Sequence, residues 1–130
     1  MPNTYTQIFI HIVFAVQNRL NLIAEKNRNE LEKYICGIIS NKKCKPIAIF
    51  INPDHAHILL SLHPTISVSD ITRDIKANSS KFINEKKWVA GKFSWQDGFG
   101  AFTISKSQID DVAKYILNQA EHHKRDTFKI

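Results

Sequence analysis

Two histidines separated by one residue, His55 and His57, stand inside an otherwise apolar run from Ile47 to Leu62. The run reads as a β-hairpin. Asn52-Pro53-Asp54 supplies the turn, because proline presets its own φ and Asn and Asp cap turns with their side chains. The strands are expected at Ile47 to Ile51 and His55 to Leu62. Side chains alternate along a strand, so Ala56, Ile58, Leu60 and Leu62 make an apolar face and His55, His57, Leu59 and Ser61 make the other. Two imidazoles on one strand face point the same way, and one divalent metal could bridge them. The competing reading is a pair of solvated histidines on an outer sheet face. A second constellation lies near the C-terminus, where Tyr115, Gln119 and His122 fall on one flank of a helix. A phenol and a carboxamide one turn apart can enter a site built on a sheet, or can simply border a packing surface.

The elements that would position these groups follow from periodicity. Gln7 to Phe14 reads as a strand apolar on both faces, Ile8, Ile10, Ile12 and Phe14 against Phe9, His11 and Val13, and so belongs in the middle of a sheet. His11 reads as a satisfied core or interface histidine, not a ligand. A helix is expected from about Ala24 to Lys42, with Leu31, Tyr34, Ile35, Ile38 and Ile39 as its buried stripe. Pro64 ends the hairpin, and Ser67-x-x-Asp70 reads as the N-terminal cap of a second helix over about Val68 to Lys86. Its basic remainder includes Arg73, Lys76 and Lys81, candidates for holding a phosphate backbone; each of them taken singly reads as part of a solvated face. Trp88 to Gly100 is irregular and aromatic, suited either to stacking unpaired bases or to anchoring a loop on the body of the protein. A short strand, Ala101 to Ser105, is followed by a capping box at Ser105-Lys-Ser-Gln108. The last helix has Ile109, Val112, Ala113, Ile116 and Ala120 as its buried stripe, with His122 and His123 near its end.

The order strand, helix, strand, strand, helix, strand, helix approximates a split βαβ, ferredoxin-like α+β fold. It has an antiparallel sheet, helices packed on one face, and a C-terminal helix carrying the tyrosine. The 130 residues suit a single domain, 1–130, with a sizeable core. No run of about 18 apolar residues suggests a membrane span. Met1-Pro-Asn-Thr-Tyr-Thr lacks the basic start and apolar stretch of a secretory signal. Cys36 and Cys44 form no Cys-x-x-Cys pair, which argues against structural zinc or a redox motif and for free thiols in a cytoplasmic protein. A net charge of +6 favours a polyanionic partner, nucleic acid being the commonest.

Together these residues resemble the single-tyrosine HUH transposases of the smallest bacterial insertion sequences, the 200/605 family. The carriers are Asn52-Pro-Asp-His-Ala-His-Ile-Leu-Leu, Pro64-Thr-Ile-Ser-Val-Ser, Trp95-Gln-Asp-Gly-Phe-Gly-Ala-Phe, Ser105-Lys-Ser-Gln108, Tyr115-Ile-Leu-Asn-Gln119 and Glu121-His-His123. The resemblance implies that His55 and His57 are a metal-binding pair, Gln119 a third ligand and Tyr115 the nucleophile. It implies Mg²⁺ or Mn²⁺ as cofactor, and single-stranded DNA with hairpins near the ends of a mobile element as partner. It also implies a homodimer in which the tyrosine helix of one subunit completes the site of the other. The reaction would proceed through a 5′-phosphotyrosine link and a free 3′-OH. Members of the family usually continue past the tyrosine helix, whereas this sequence closes on Thr127-Phe-Lys-Ile130. Two other functions compete: a related HUH nicking enzyme of replication or conjugation, and a non-catalytic single-strand-binding domain using the basic helix and aromatic loop. A two-histidine phosphoesterase is set aside, because only His63-Pro-Thr65 offers the His-x-Ser/Thr motif that such an enzyme needs twice.

Overall fold

The computed structural model describes residues 4–119. Four strands, β1 (Phe9–Ala15), β2 (Lys45–Ile51), β3 (His55–Ser61) and β4 (Gly100–Ile104), form an antiparallel sheet in the order β2-β3-β1-β4. Helices α1 (Arg28–Asn41) and α2 (Val68–Lys86) lie between the strands in sequence, and α3 (Ile109–Leu117) follows β4. This is the expected ferredoxin-like α+β arrangement, with β1 in the middle of the sheet.

Alternation along β1 and β3 divides the sheet. Ile10, Ile12 and Phe14 of β1 join Ala56, Ile58 and Leu60 of β3 in a core that also holds Leu31, Ile35 and Ile39 of α1 and Ile71, Ile75 and Ile83 of α2. Ala48, Phe50 and Leu59 form a smaller cluster on the opposite face with Ile116 of α3, joined at its margin by Ile104, Ile109, Val112 and Ala113. Helices α1 and α2 therefore cover one face and α3 the other.

Local signals account for most of the boundaries. The hairpin turn closes through Asn52 N–H donating to the His55 carbonyl. Ser67 caps α2 as expected, its hydroxyl accepting from Asp70 N–H at 3.0 Å, an arrangement worth about 1 kcal/mol. The first helix begins later than periodicity suggests. Glu25–Asn27 is a 3-10 turn, and regular α-helix starts at Arg28. The capping box expected at Ser105 does not form. Lys106–Gln108 is a 3-10 turn without a side-chain cap, and the Ser105 hydroxyl lies 3.2 Å from the Ser107 hydroxyl instead. A 3-10 turn redirects the backbone donors that a capping box would have satisfied.

The aromatic loop is mainly an anchor. Phe93 and Trp95 are buried in the larger core, packing edge-on against each other. Asn84 of α2 holds Phe93 by two backbone hydrogen bonds, and Trp95 Nε1 donates to Ser79 Oγ. Only Phe99 of this group remains well exposed. Among the described residues, no helix is long and apolar enough to cross a membrane, and Cys36 and Cys44 are free thiols.

Candidate active site

His55 and His57 lie side by side on the α3 face of β3, their ring centroids 5.0 Å apart. They are not solvated histidines of an outer face, for their exposures are 0% and 1%. Strand register explains their surroundings. Ala15 stands opposite His55, Val13 and Phe50 flank His57, and Leu59 is the next residue on the same face.

Each imidazole is held by a neighbour. Asp54 Oδ1 lies 2.6 Å from His55 Nδ1. An ionised carboxylate can only accept, so this contact fixes the proton of neutral His55 on Nδ1 and leaves a lone pair on Nε2. The Asn52 amide donates to that Nε2 at 3.0 Å. Asp54, read from sequence only as a turn residue, thus also orients a histidine. Arg19 approaches the far side of the same carboxylate at 3.3 Å. Arg19 and Asn18 both have left-handed backbone, at φ 56° and 59°. Such a conformation costs roughly 1–2 kcal/mol per non-glycine residue. Burial alone would raise the Asp54 pKa, but the hydrogen bond from His55 and the attraction of that imidazole when protonated, with Arg19 behind them, hold it below the usual carboxylate value.

His57 meets a third imidazole. His11 Nε2 lies 3.0 Å from His57 Nδ1, with the two rings 5.2 Å apart and 28° from parallel. Burial lowers the His11 pKa and favours its neutral form. His11 is a satisfied histidine, as expected, but what satisfies it is one of the candidate ligands. The strand alternation that placed His11 beside Phe9 and Val13 carried this signal only once the β1–β3 register was known.

Helix α3 brings the second constellation to the first. The Tyr115 ring lies 6.4 Å from the His57 ring and nearly perpendicular to it, with the residue 36% exposed. Gln119 is fully buried. Its Nε2 donates to the Tyr115 carbonyl at 3.2 Å, and its Oε1 has no hydrogen-bond partner among the described residues. An unmatched buried acceptor costs about 1–3 kcal/mol, a cost that a bound cation would remove. Among the described residues, no three His, Cys, Asp or Glu side chains gather as a metal site, and the donor that those residues add to the histidine pair is of another type. A carboxamide oxygen qualifies, and with two imidazoles it offers the nitrogen and oxygen donors that suit a divalent ion. The residues present therefore fit the implied metal. The helix reaches this position by packing its apolar stripe on the sheet, so the Tyr115 and His57 rings approach each other within the described chain. His122, His123, Glu121 and Ala120 lie outside the described residues.

The basic candidates stand elsewhere. Arg73, Lys76 and Lys81 belong to α2, which packs on the opposite face of the sheet. Arg73 pairs with Asp70 at 2.8 Å. Lys76 donates to the carbonyls of Gln96 and Gly98, tying α2 to the aromatic loop, and burial lowers its pKa against the opposing pull of Asp97. Arg73 and Lys76 border a cavity of about 410 Å³ with Trp95 and Phe99. Lys81 is exposed.

The chain is similar to known proteins. The profile of the IS200-like transposases matches residues 4–119. The ISDra2 transposase TnpA of Deinococcus radiodurans is 24% identical over 120 residues, covering 87% of this chain and 84% of its own length. Among solved structures, a candidate transposase of Deinococcus radiodurans R1 superposes with a TM-score of 0.71 at 20% identity, over 92% of this chain and 96% of its own. A REP-associated tyrosine transposase bound to a REP hairpin superposes with a TM-score of 0.70 at 17% identity, over 95% and 73%.

Proposed function

Because the chain belongs to the IS200-like transposase family, we propose that it cuts and rejoins single-stranded DNA at mobile-element ends with Tyr115 as nucleophile. The observation that carries this reading is the approach of the Tyr115 ring to within 6.4 Å of His57, beside the buried pair His55 and His57. In the cleavage step the Tyr115 oxygen bonds to the scissile phosphorus and the bond to the 3′ oxygen breaks. The phenol gives up its proton, and the departing oxygen takes one up to become a free 3′-OH. The product is a 5′-phosphotyrosine, which retains a phosphodiester bond. A 3′-OH can then attack it and regenerate the phenol at little net free-energy change.

An ordinary phenol ionises near pH ~10 and needs help to attack at neutral pH. His55 and His57, through nitrogen, and Gln119, through Oε1, would hold Mg²⁺ or Mn²⁺. Such an ion supplies charge to polarise and orient the phosphate. Asp54 and Asn52 hold His55 in place, and the cover of α3 limits water around the imidazoles. A hairpin-bearing DNA partner is supported by the structural relative bound to a REP hairpin. The reading includes a homodimer. The uncharged edge strand β4, with Phe102 57% exposed, is a surface of the kind that pairs with another strand.

The test mixes the protein with end-labelled single strands from the flanks of its own gene, with Mn²⁺ or EDTA, and resolves covalent complexes on a denaturing gel. A metal-dependent band on the 5′-phosphate side, lost in Tyr115→Phe, is the expected result. A band that survives the substitution names another nucleophile, and metal-independent binding without any band favours a binding-only domain.

A further inference from the structure

The two candidate ligands are held by different chemistries. A carboxylate stands behind His55, while a neutral ring nitrogen stands behind His57. We infer that His11 is the positioning residue of His57: its Nε2 accepts from His57 Nδ1–H, and so fixes the tautomer that turns the His57 Nε2 lone pair toward the site. The inference rests on the metal centre proposed above but concerns a residue that the transposase reading leaves without a role.

The geometry is specific. His11 lies on β1, the central strand, where the register puts Leu59 opposite His11 and Val13 opposite His57. The two imidazoles are therefore diagonal neighbours on one face, within reach of each other without backbone distortion. The 3.0 Å contact engages Nδ1 of His57, and with the proton on Nδ1 the in-plane lone pair of the ring lies on Nε2. Phe102 of β4, directly opposite His11, stands 6.3 Å from it and flanks the ring on the other side. Ligating histidines characteristically donate their second nitrogen to a fixed acceptor, and loss of that acceptor weakens metal binding. Asp54 is such an acceptor for His55, and His11 does the same for His57 with a weaker, uncharged group.

The experiment uses the full chain without DNA and compares wild type, His11→Gln and His11→Phe. Glutamine can reach His57 with an acceptor oxygen; phenylalanine keeps the ring volume and cannot accept. His11→Leu replaces phenylalanine in the comparison should that variant fail to fold. Mn²⁺ affinity is read from the electron paramagnetic resonance of free ion, and the His57 tautomer from imidazole ¹⁵N shifts of the metal-free protein. The expected result is Mn²⁺ binding weakened about 10- to 100-fold in His11→Phe and within about threefold of wild type in His11→Gln. His57 should report Nδ1–H in wild type and His11→Gln but not in His11→Phe. Unchanged affinity and tautomer in His11→Phe, or equal damage in both variants, would overturn the inference. If wild type itself binds no Mn²⁺, the metal centre fails, and the ¹⁵N shifts still decide the role of His11: an unchanged His57 tautomer in His11→Phe overturns it.

Discussion

The two faces of one sheet do different work. Toward α1 and α2 the strands present Ile10, Ile12, Phe14, Ala56, Ile58 and Leu60, and helices of 14 and 19 residues close over them. Toward α3 the same strands present His11, His55, His57 and Leu59, and among the described residues the 9-residue helix α3 packs on that face. Stability is concentrated on the first face, where apolar burial is extensive. Chemistry is concentrated on the second, where His55 and His57 are buried against polar neighbours and Gln119 Oε1 is buried without a hydrogen-bond partner among the described residues. Since side chains alternate with period two, a slip of one residue in β3 would exchange the two roles.

The most severe way to break the second face is Tyr115→Phe. It should reduce formation of the covalent DNA complex on the order of 10⁴-fold or more, as removal of a nucleophile does elsewhere. Folding should be nearly unaffected, because the residue is partly exposed, and thermal unfolding run beside the gel assay checks that separation. His57→Ala should be the mirror case for the metal, weakening Mn²⁺ binding about 100-fold or more in a titration without DNA.

Neighbouring residues of β3 probe the two faces directly. Ile58 and Leu59 are both fully buried, on opposite sides of the sheet. Ile58→Ala should cost about 3–5 kcal/mol and Leu59→Ala about 2–3 kcal/mol in urea unfolding, because the smaller apolar cluster around Leu59 relaxes more easily around a cavity. Equal costs would mean that α3 seals its face as tightly as the helix pair seals the other.

Titration sharpens the contrast further. His11 is held neutral by burial, so its folded pKa lies below the usual 6.5. In the window between those values the unfolded chain binds more protons, and stability falls as pH drops through it. Asp54 adds a second loss at lower pH. Its stabilisation is present above its unfolded pKa and disappears as pH falls through the depressed folded value. Urea midpoints measured from about pH 8 down to about pH 3 should show both steps, and His11→Phe should diminish the first. The smallest effect belongs to the stable face. Ser67→Ala should cost about 1 kcal/mol through loss of the α2 cap, with DNA cleavage unchanged.

Much of this was legible in the chain. Alternation in Ala56, Ile58, Leu60 and the turn at Asn52-Pro53-Asp54 marked the hairpin, and α2 runs over the predicted Val68 to Lys86 because its cap and its stripe agree. Boundaries blurred at α1 and α3, where 3-10 turns precede the regular helix and no side chain caps it. At the site, type and spacing made His55, His57, Tyr115 and Gln119 candidates, and the family resemblance supplied their roles. Their depth under α3 could not, because which sheet face a terminal helix covers is a tertiary choice. The same limit hid His11 and the second role of Asp54, whose contacts depend on strand register and on the path of the Asn18–Arg19 backbone. Lys76, a candidate DNA contact by its charge, has an intramolecular role that its charge did not announce: its ammonium group holds the 96–98 loop.

The central claim is that His55, His57 and Gln119 form one metal centre beside Tyr115. Anomalous scattering from a Mn²⁺-soaked crystal tests it most directly. The expected result is a peak coordinated by Nε2 of both histidines and Oε1 of Gln119, on the α3 face, with the Asn52 amide displaced from His55 Nε2. A peak that engages neither histidine, or none at saturating Mn²⁺ while the protein still forms the covalent DNA complex, would contradict it.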